Sequence, residues 1–152
     1  MSNECLNIVT LTHYDPDYIT EIESAVKAGD GLLQTLYCNI DDIDEAWGTK
    51  AEARDVAIWD LARNEIMLGF NTQWSPPIGV YEHLVRLGWT VKAMFCEYCS
   101  PFCGTYTNDD GYQEYTWNTI SDAKMMVPRD LLEEFEIIEY MEQEEEEIED
   151  ED

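Results

Sequence analysis

Glu65-Ile66-Met67-Leu68-Gly69-Phe70-Asn71-Thr72 runs almost directly into Ser75-Pro76-Pro77-Ile78. The first stretch alternates in the manner of a half-buried strand. The second is a helix start, with Ser75 as cap and a proline inside the first turn. Ile78, Tyr81, Leu84, Val85 and Leu87 then recur at helical spacing until Gly88 stops the run. Upstream, Val56 to Leu61 is a second strand, joined to the first by a tight turn at Ala62-Arg63-Asn64. One hairpin followed by one helix is therefore the centre of the fold.

The same reading extends outward. Asn7 to Thr12 is a β-branched, alternating strand. Asp15-Pro16-Asp17 opens a helix carrying Tyr18, Ile19, Ile22, Ala25 and Val26, which Ala28-Gly29 ends. Gly31 to Gly48 reads as an irregular acidic connection. Beyond Gly88, Thr90 to Tyr98, Phe102 to Thr107 and Tyr112 to Trp117 are strands, the last two joined through Asn108-Asp109-Asp110-Gly111. Pro128 opens a further helix with an apolar stripe of Leu131, Leu132, Phe135, Ile138 and Met141. The first six elements follow the split βαβ order. The expectation is an α+β domain over residues 1–127, a ferredoxin-like antiparallel sheet with helices on one face and an extra C-terminal hairpin. Residues 128–152 add an acidic C-terminal helix and tail.

The 152 residues hold 34 Asp and Glu against 8 Lys and Arg, a formal charge of −26. Fourteen of the acids lie from Asp130 onward, where there is no base, leaving 20 acids and all 8 bases before it. Such a chain cannot replace the counterions of a nucleic-acid backbone, and the anionic face of a membrane repels it. With 45% hydrophobic and 12% aromatic residues it is too apolar for a disordered acidic chain. No apolar run approaches the roughly 20 residues of a membrane span. The start lacks a basic segment followed by an apolar one, so the five cysteines read as reduced thiols in a cytoplasmic setting.

Trp47-Gly48-Thr49-Lys50, Asn71-Thr72-Gln73-Trp74-Ser75-Pro76-Pro77, Gly88-Trp89, Glu97-Tyr98 and Phe102-Cys103-Gly104 together resemble the YubB ferredoxin-like family of phage and plasmid proteins. The resemblance covers about half the chain, and its Thr-x-Trp-Ser-Pro-Pro core is its most specific part. Ala51-Glu52 stands where that family usually has Trp-Asp, and the family's long insertion before the first tryptophan is largely missing. The resemblance implies the same fold and a mobile-element origin. It implies no activity and no catalytic residue.

Cys96, Cys99 and Cys103 have spacing that would let thiolates share a metal about 2.3 Å away. Packed free thiols are the competing reading, since Cys96 and Cys103 fall in strands and no second Cys-x-x-Cys exists. His13 and His83 are the only histidines, and no nucleophile elbow or phosphate loop accompanies them, which argues against an enzyme. No cofactor is expected. Asp41, Asp42, Asp44 and Glu45 crowd together without the spacing of a calcium loop. Trp47, Trp74, Trp89 and Trp117 read as core or as anchors of a protein interface, because the body's charge would repel phosphates.

The acids themselves remain. Glu133, Glu134, Glu136, Glu139 and Glu142 lie beside the apolar stripe of the last helix. Residues three or four apart on a helix are ~5–6 Å apart, near the spacing of successive phosphates. An acid-studded face can therefore imitate the phosphate ladder and occupy a basic groove. The expectation is a phage-type inhibitor of a host defence nuclease complex (anti-CRISPR or anti-restriction), working in the host cytoplasm. It would bind a basic nucleic-acid-binding host protein through those glutamates and the Asp41–Glu45 acids. The competing reading is an adaptor of a host protein whose acidity serves only solubility.

Overall fold

The computed structural model describes residues 4–37, 47–49 and 51–150. Six strands and six helices occur among them: β1 (Glu4–Thr12), α1 (Pro16–Ala28), α2 (Leu32–Leu36), β2 (Arg54–Ala62), β3 (Glu65–Gln73), α3 (Ile78–Arg86), β4 (Thr90–Glu97), β5 (Phe102–Thr107), β6 (Gly111–Thr116), α4 (Ile120–Met126), α5 (Arg129–Glu134) and α6 (Ile137–Asp150). The strands form one antiparallel sheet in the order β2-β3-β1-β4-β5-β6.

Side-chain alternation along each strand assigns the two faces. Val9, Leu11, Ile66, Leu68, Phe70, Val91 and Ala93 look into the first core, which α1, α2 and α3 close with Ile19, Ile22, Leu33, Val80, Tyr81 and Leu84. Their neighbours Ile8, Met94, Cys96 and Cys103 look the other way, into a second core. Trp117, Ala123, Val127, Leu131, Phe135 and Ile137 of the C-terminal segment close that one. Helices on one face thus holds for the first three; the last three form a layer on the opposite face.

Local chemistry explains the elements. The Asp15 carboxylate accepts the Asp17 N–H at 3.0 Å, and Gly29 ends α1 with φ 79°. Within the stretch expected to be irregular, Leu32–Leu36 is helical although its Gly31 cap has no side chain. The Glu52 carboxylate substitutes, accepting the N–H groups of Leu33 (2.6 Å) and Gln34 (3.0 Å). Such a cap satisfies orphan donors that a helix start always exposes.

Two expectations are corrected. Ser75 does not cap α3, whose first flanking residue is Pro77. Its hydroxyl donates instead to the Gly48 carbonyl at 2.7 Å, while its own carbonyl accepts from Thr72. The single helix expected from Pro128 is two helices, broken at Phe135–Glu136, where Glu136 takes φ 49°. An additional helix, Ile120–Met126, precedes them, capped by the Thr119 hydroxyl, which accepts the Asp122 N–H at 3.0 Å.

Candidate partner-binding face

The second face of the sheet is only half covered. The C-terminal layer sits over β4, β5 and β6, where Cys96, Cys103 and Tyr115 pair across the strands. Among the described residues, the half formed by β1, β3 and β2 carries no helix; it contains the position of Gly69, opposite Ile8 and Ala57.

Two irregularities of β2 shape this open half. The register with β3 slips between Arg54 and Ala57, and again between Ile58 and Asp60. Such bulges re-aim side chains. The first contains Asp55, whose φ of 53° is left-handed, and its carboxylate accepts from the Asn71 amide at 3.3 Å. The second contains Trp59, 53% exposed. A Cβ added at Gly69 would lie 2.4 Å from the indole Nε1, so the ring rests directly on the glycine backbone.

Where the open half meets the break between α5 and α6 there is a cavity of about 300 Å³. Leu6, Ile8 and Gly69 form its floor, Trp59 and Tyr98 offer rings, and Asp55, Glu134 and Glu136 bring carboxylates. The Tyr98 hydroxyl donates to the Phe135 carbonyl and so ties the break to the sheet. Burial, with Cys96, Glu136 and Tyr140 nearby, raises the Tyr98 pKa, keeping the hydroxyl protonated as a donor. Tyr98 also stacks on Tyr140 of α6 at 4.2 Å, and burial and Glu144 push the Tyr140 pKa up to about 12.

The expected acids separate into three places. Glu133 and Glu134 sit on α5, Glu136 in the break, and Glu139 and Glu142 on α6; all five are exposed. Glu133 accepts from Arg129 at 2.9 Å. The straight ladder imagined for one helix is therefore a bent array, and only Glu134 and Glu136 reach the cavity. Asp41, Asp42, Asp44 and Glu45 lie outside the described residues.

Cys96, Cys99 and Cys103 do not assemble as a ligand set among the described residues. Cys96 and Cys103 face each other across β4 and β5, both fully buried, whereas Cys99 lies exposed in the intervening turn. Among the described residues no three His, Cys, Asp or Glu side chains are grouped to hold a metal. The turn has its own support: the buried Glu97 carboxylate accepts the N–H groups of Cys99 and Ser100, both at 2.7 Å. Burial pushes Cys103 up to about 12 and holds Cys96 well above the ordinary thiol value.

Both histidines are engaged in packing. His13 is buried against Tyr14, Tyr18 and Trp89, and its Nδ1 accepts the Asp15 N–H. His83 stacks on Tyr37 at 3.9 Å, and partial burial followed by Arg86 lowers its pKa. Of the tryptophans singled out from the sequence, Trp47, Trp89 and Trp117 are buried and Trp74 is 44% exposed. The most exposed is Trp59, which that reading passed over. Its signal was present: Val56 and Ile58 point inward, so the residue between Ile58 and Asp60 falls to the other face.

The residues behind the family resemblance are knit together. The Trp47 indole donates to the Tyr37 carbonyl, Thr49 donates to the Gln73 carbonyl, and Ser75 to that of Gly48, each at 2.7–2.8 Å. Gly48 has φ 81°, and a Cβ there would meet the Gly79 nitrogen at 3.1 Å. Among the described residues, no helix is long and apolar enough to cross a membrane. Comparison with known protein families, with curated proteins and with solved structures finds no match to this chain.

Proposed function

We propose that this protein is a phage-type acidic inhibitor that occupies a basic DNA- or RNA-binding surface of a host defence nuclease complex, acting as a nucleic-acid mimic in the host cytoplasm. The observation that carries the reading is the C-terminal layer. Its acids at 133, 134, 136 and 139 are exposed, while Leu131, Phe135 and Ile137 beside them are buried in the second core. The carboxylates are thus fixed on a packed support, which lowers the ordering cost of docking compared with a loose tail. Opposed charges also speed encounter and make it sensitive to salt.

The order β2-β3-β1-β4, with a helix after β1 and another after β3, supports naming the fold ferredoxin-like. The resemblance to the YubB family is part of the same proposal; the segments that carry it, residues 47–49 and 73–75, hydrogen-bond to one another. A second reading, an adaptor for a host protein, is favoured by the exposed rings of Trp59 and Trp74. Exposed aromatics are common anchors of interfaces.

The experiment is a binding assay against purified CRISPR effectors and restriction nucleases over a salt series. Under the mimic reading affinity falls steeply with salt, and combined Glu133→Lys, Glu136→Lys and Glu139→Lys substitution abolishes it. Affinity indifferent to both would exclude mimicry and leave the adaptor.

A further inference from the structure

We infer that the cavity beside Trp59 seats an arginine side chain presented by the basic partner. The inference rests on the proposed reading for the partner's charge, but the cavity supplies the choice of side chain. Its volume of about 300 Å³ is at the bottom of the range of roughly 300–1,000 Å³ typical of small-molecule sites, which suits one long side chain.

Three features of the lining fit arginine. The floor of Leu6 and Ile8 matches the apolar methylene stem. The rings of Trp59 and Tyr98 line the space, and aromatic surface of this kind attracts a planar cation. Asp55, Glu134 and Glu136 provide carboxylates that a guanidinium fork engages in pairs, and among the described residues no lysine, arginine or histidine lines the space to compete. A phosphate or carboxylate ligand would meet three like charges. Lysine would bring a point charge that is strongly hydrated and stacks poorly.

The walls are held in place by interactions that do not use the cavity. Trp59 is seated on Gly69, and the Tyr98 hydroxyl fixes the Phe135 carbonyl, leaving Glu136 at the rim in its left-handed conformation. The arginine would therefore enter a preformed site.

The test uses the full chain, isotope-labelled for NMR, titrated with Nα-acetyl-arginine amide and separately with Nα-acetyl-lysine amide. The Trp59 indole signal is assigned by its loss in Trp59→Phe. Expected are saturable shifts at the Trp59 indole and at the Gly69 and Glu136 amides, several-fold stronger binding of the arginine probe, and a roughly threefold to tenfold loss in Glu134→Gln/Glu136→Gln. Both substitutions are at exposed positions, and an unchanged unfolding midpoint confirms intact folding. Equal response to both probes, shifts confined to the acids of α6, or no response would overturn the inference. Because no partner is present, failure here is distinct from failure of nuclease binding.

Discussion

Ile8 and Val9 are neighbours in β1, yet they belong to different cores. Val9 lies under α1, α2 and α3, which close the first face over β3, β1 and β4. Ile8 belongs to the second core, on a face that runs from Leu131, fully buried, to Trp59, 53% exposed. The difference teaches where function is free to sit. A closed face is constrained by packing at every position, whereas a half-covered one can carry acids and rings at little cost to the fold.

The largest test of that contrast is by deletion of side chains. Leu68→Ala in the first core and Leu131→Ala in the second each leave a cavity and are expected to cost ~2–5 kcal/mol in urea unfolding. Trp59→Ala removes more atoms but is expected to cost only about 1 kcal/mol, because half the residue's surface is already in water. A Trp59 cost as large as that of Leu68 would break the comparison.

Two glycines sharpen it next. A Cβ at Gly104 would fall 1.9 Å from the Gln113 carbonyl oxygen and 2.6 Å from the Phe95 ring, so strand and core must both move. Gly104→Ala is expected to cost about 3 kcal/mol. At Gly69 the obstruction is only the Trp59 ring, which can lift. Gly69→Ala is expected to cost about 1 kcal/mol, and the cost should vanish when Trp59 is already alanine. A double-mutant cycle checks this.

Alkali probes the buried thiols. Cys5 and Cys103 are pushed up to about 12 from an ordinary 9.0, in each case chiefly by burial. The folded state therefore keeps protons that the unfolded state loses. This stabilisation is whole below pH 9.0 and declines as pH rises toward about 12. Unfolding midpoints measured up that range should fall. The smallest effect is chemical: iodoacetamide should modify exposed Cys99 in the native state and reach Cys5, Cys96 and Cys103 only on unfolding, as peptide mapping would show.

Much of this architecture was legible. The caps at Asp15 and Gly29, the turn before Glu65 and the alternation of β3 are local signals, and each element formed where they point. What escaped depends on distance in the chain. α2 is capped by Glu52, eighteen residues beyond Gln34, which no local pattern announces. Ser75 has the sequence of a cap but is claimed by Gly48. Leu131, Phe135 and Ile138 keep helical spacing across the break at Glu136, so periodicity alone runs straight through it. The second helical layer had a signal in the consecutive buried pairs Ile8-Val9 and Phe95-Cys96, since strands buried on both faces lose their alternation. The charge of the candidate site was readable in part: Glu134 and Glu136 stand out in the sequence, whereas Asp55 does not. The site's shape was not readable, because two bulges in β2 and one left-handed glutamate create it.

The most direct measurement of the central claim is displacement of bound DNA or RNA from a purified defence nuclease complex by this protein. The account predicts that the intact chain releases the nucleic acid, that release weakens as salt rises, and that Glu133→Lys/Glu136→Lys/Glu139→Lys releases none. Release by the charge-reversed protein as efficient as by the intact chain would contradict it.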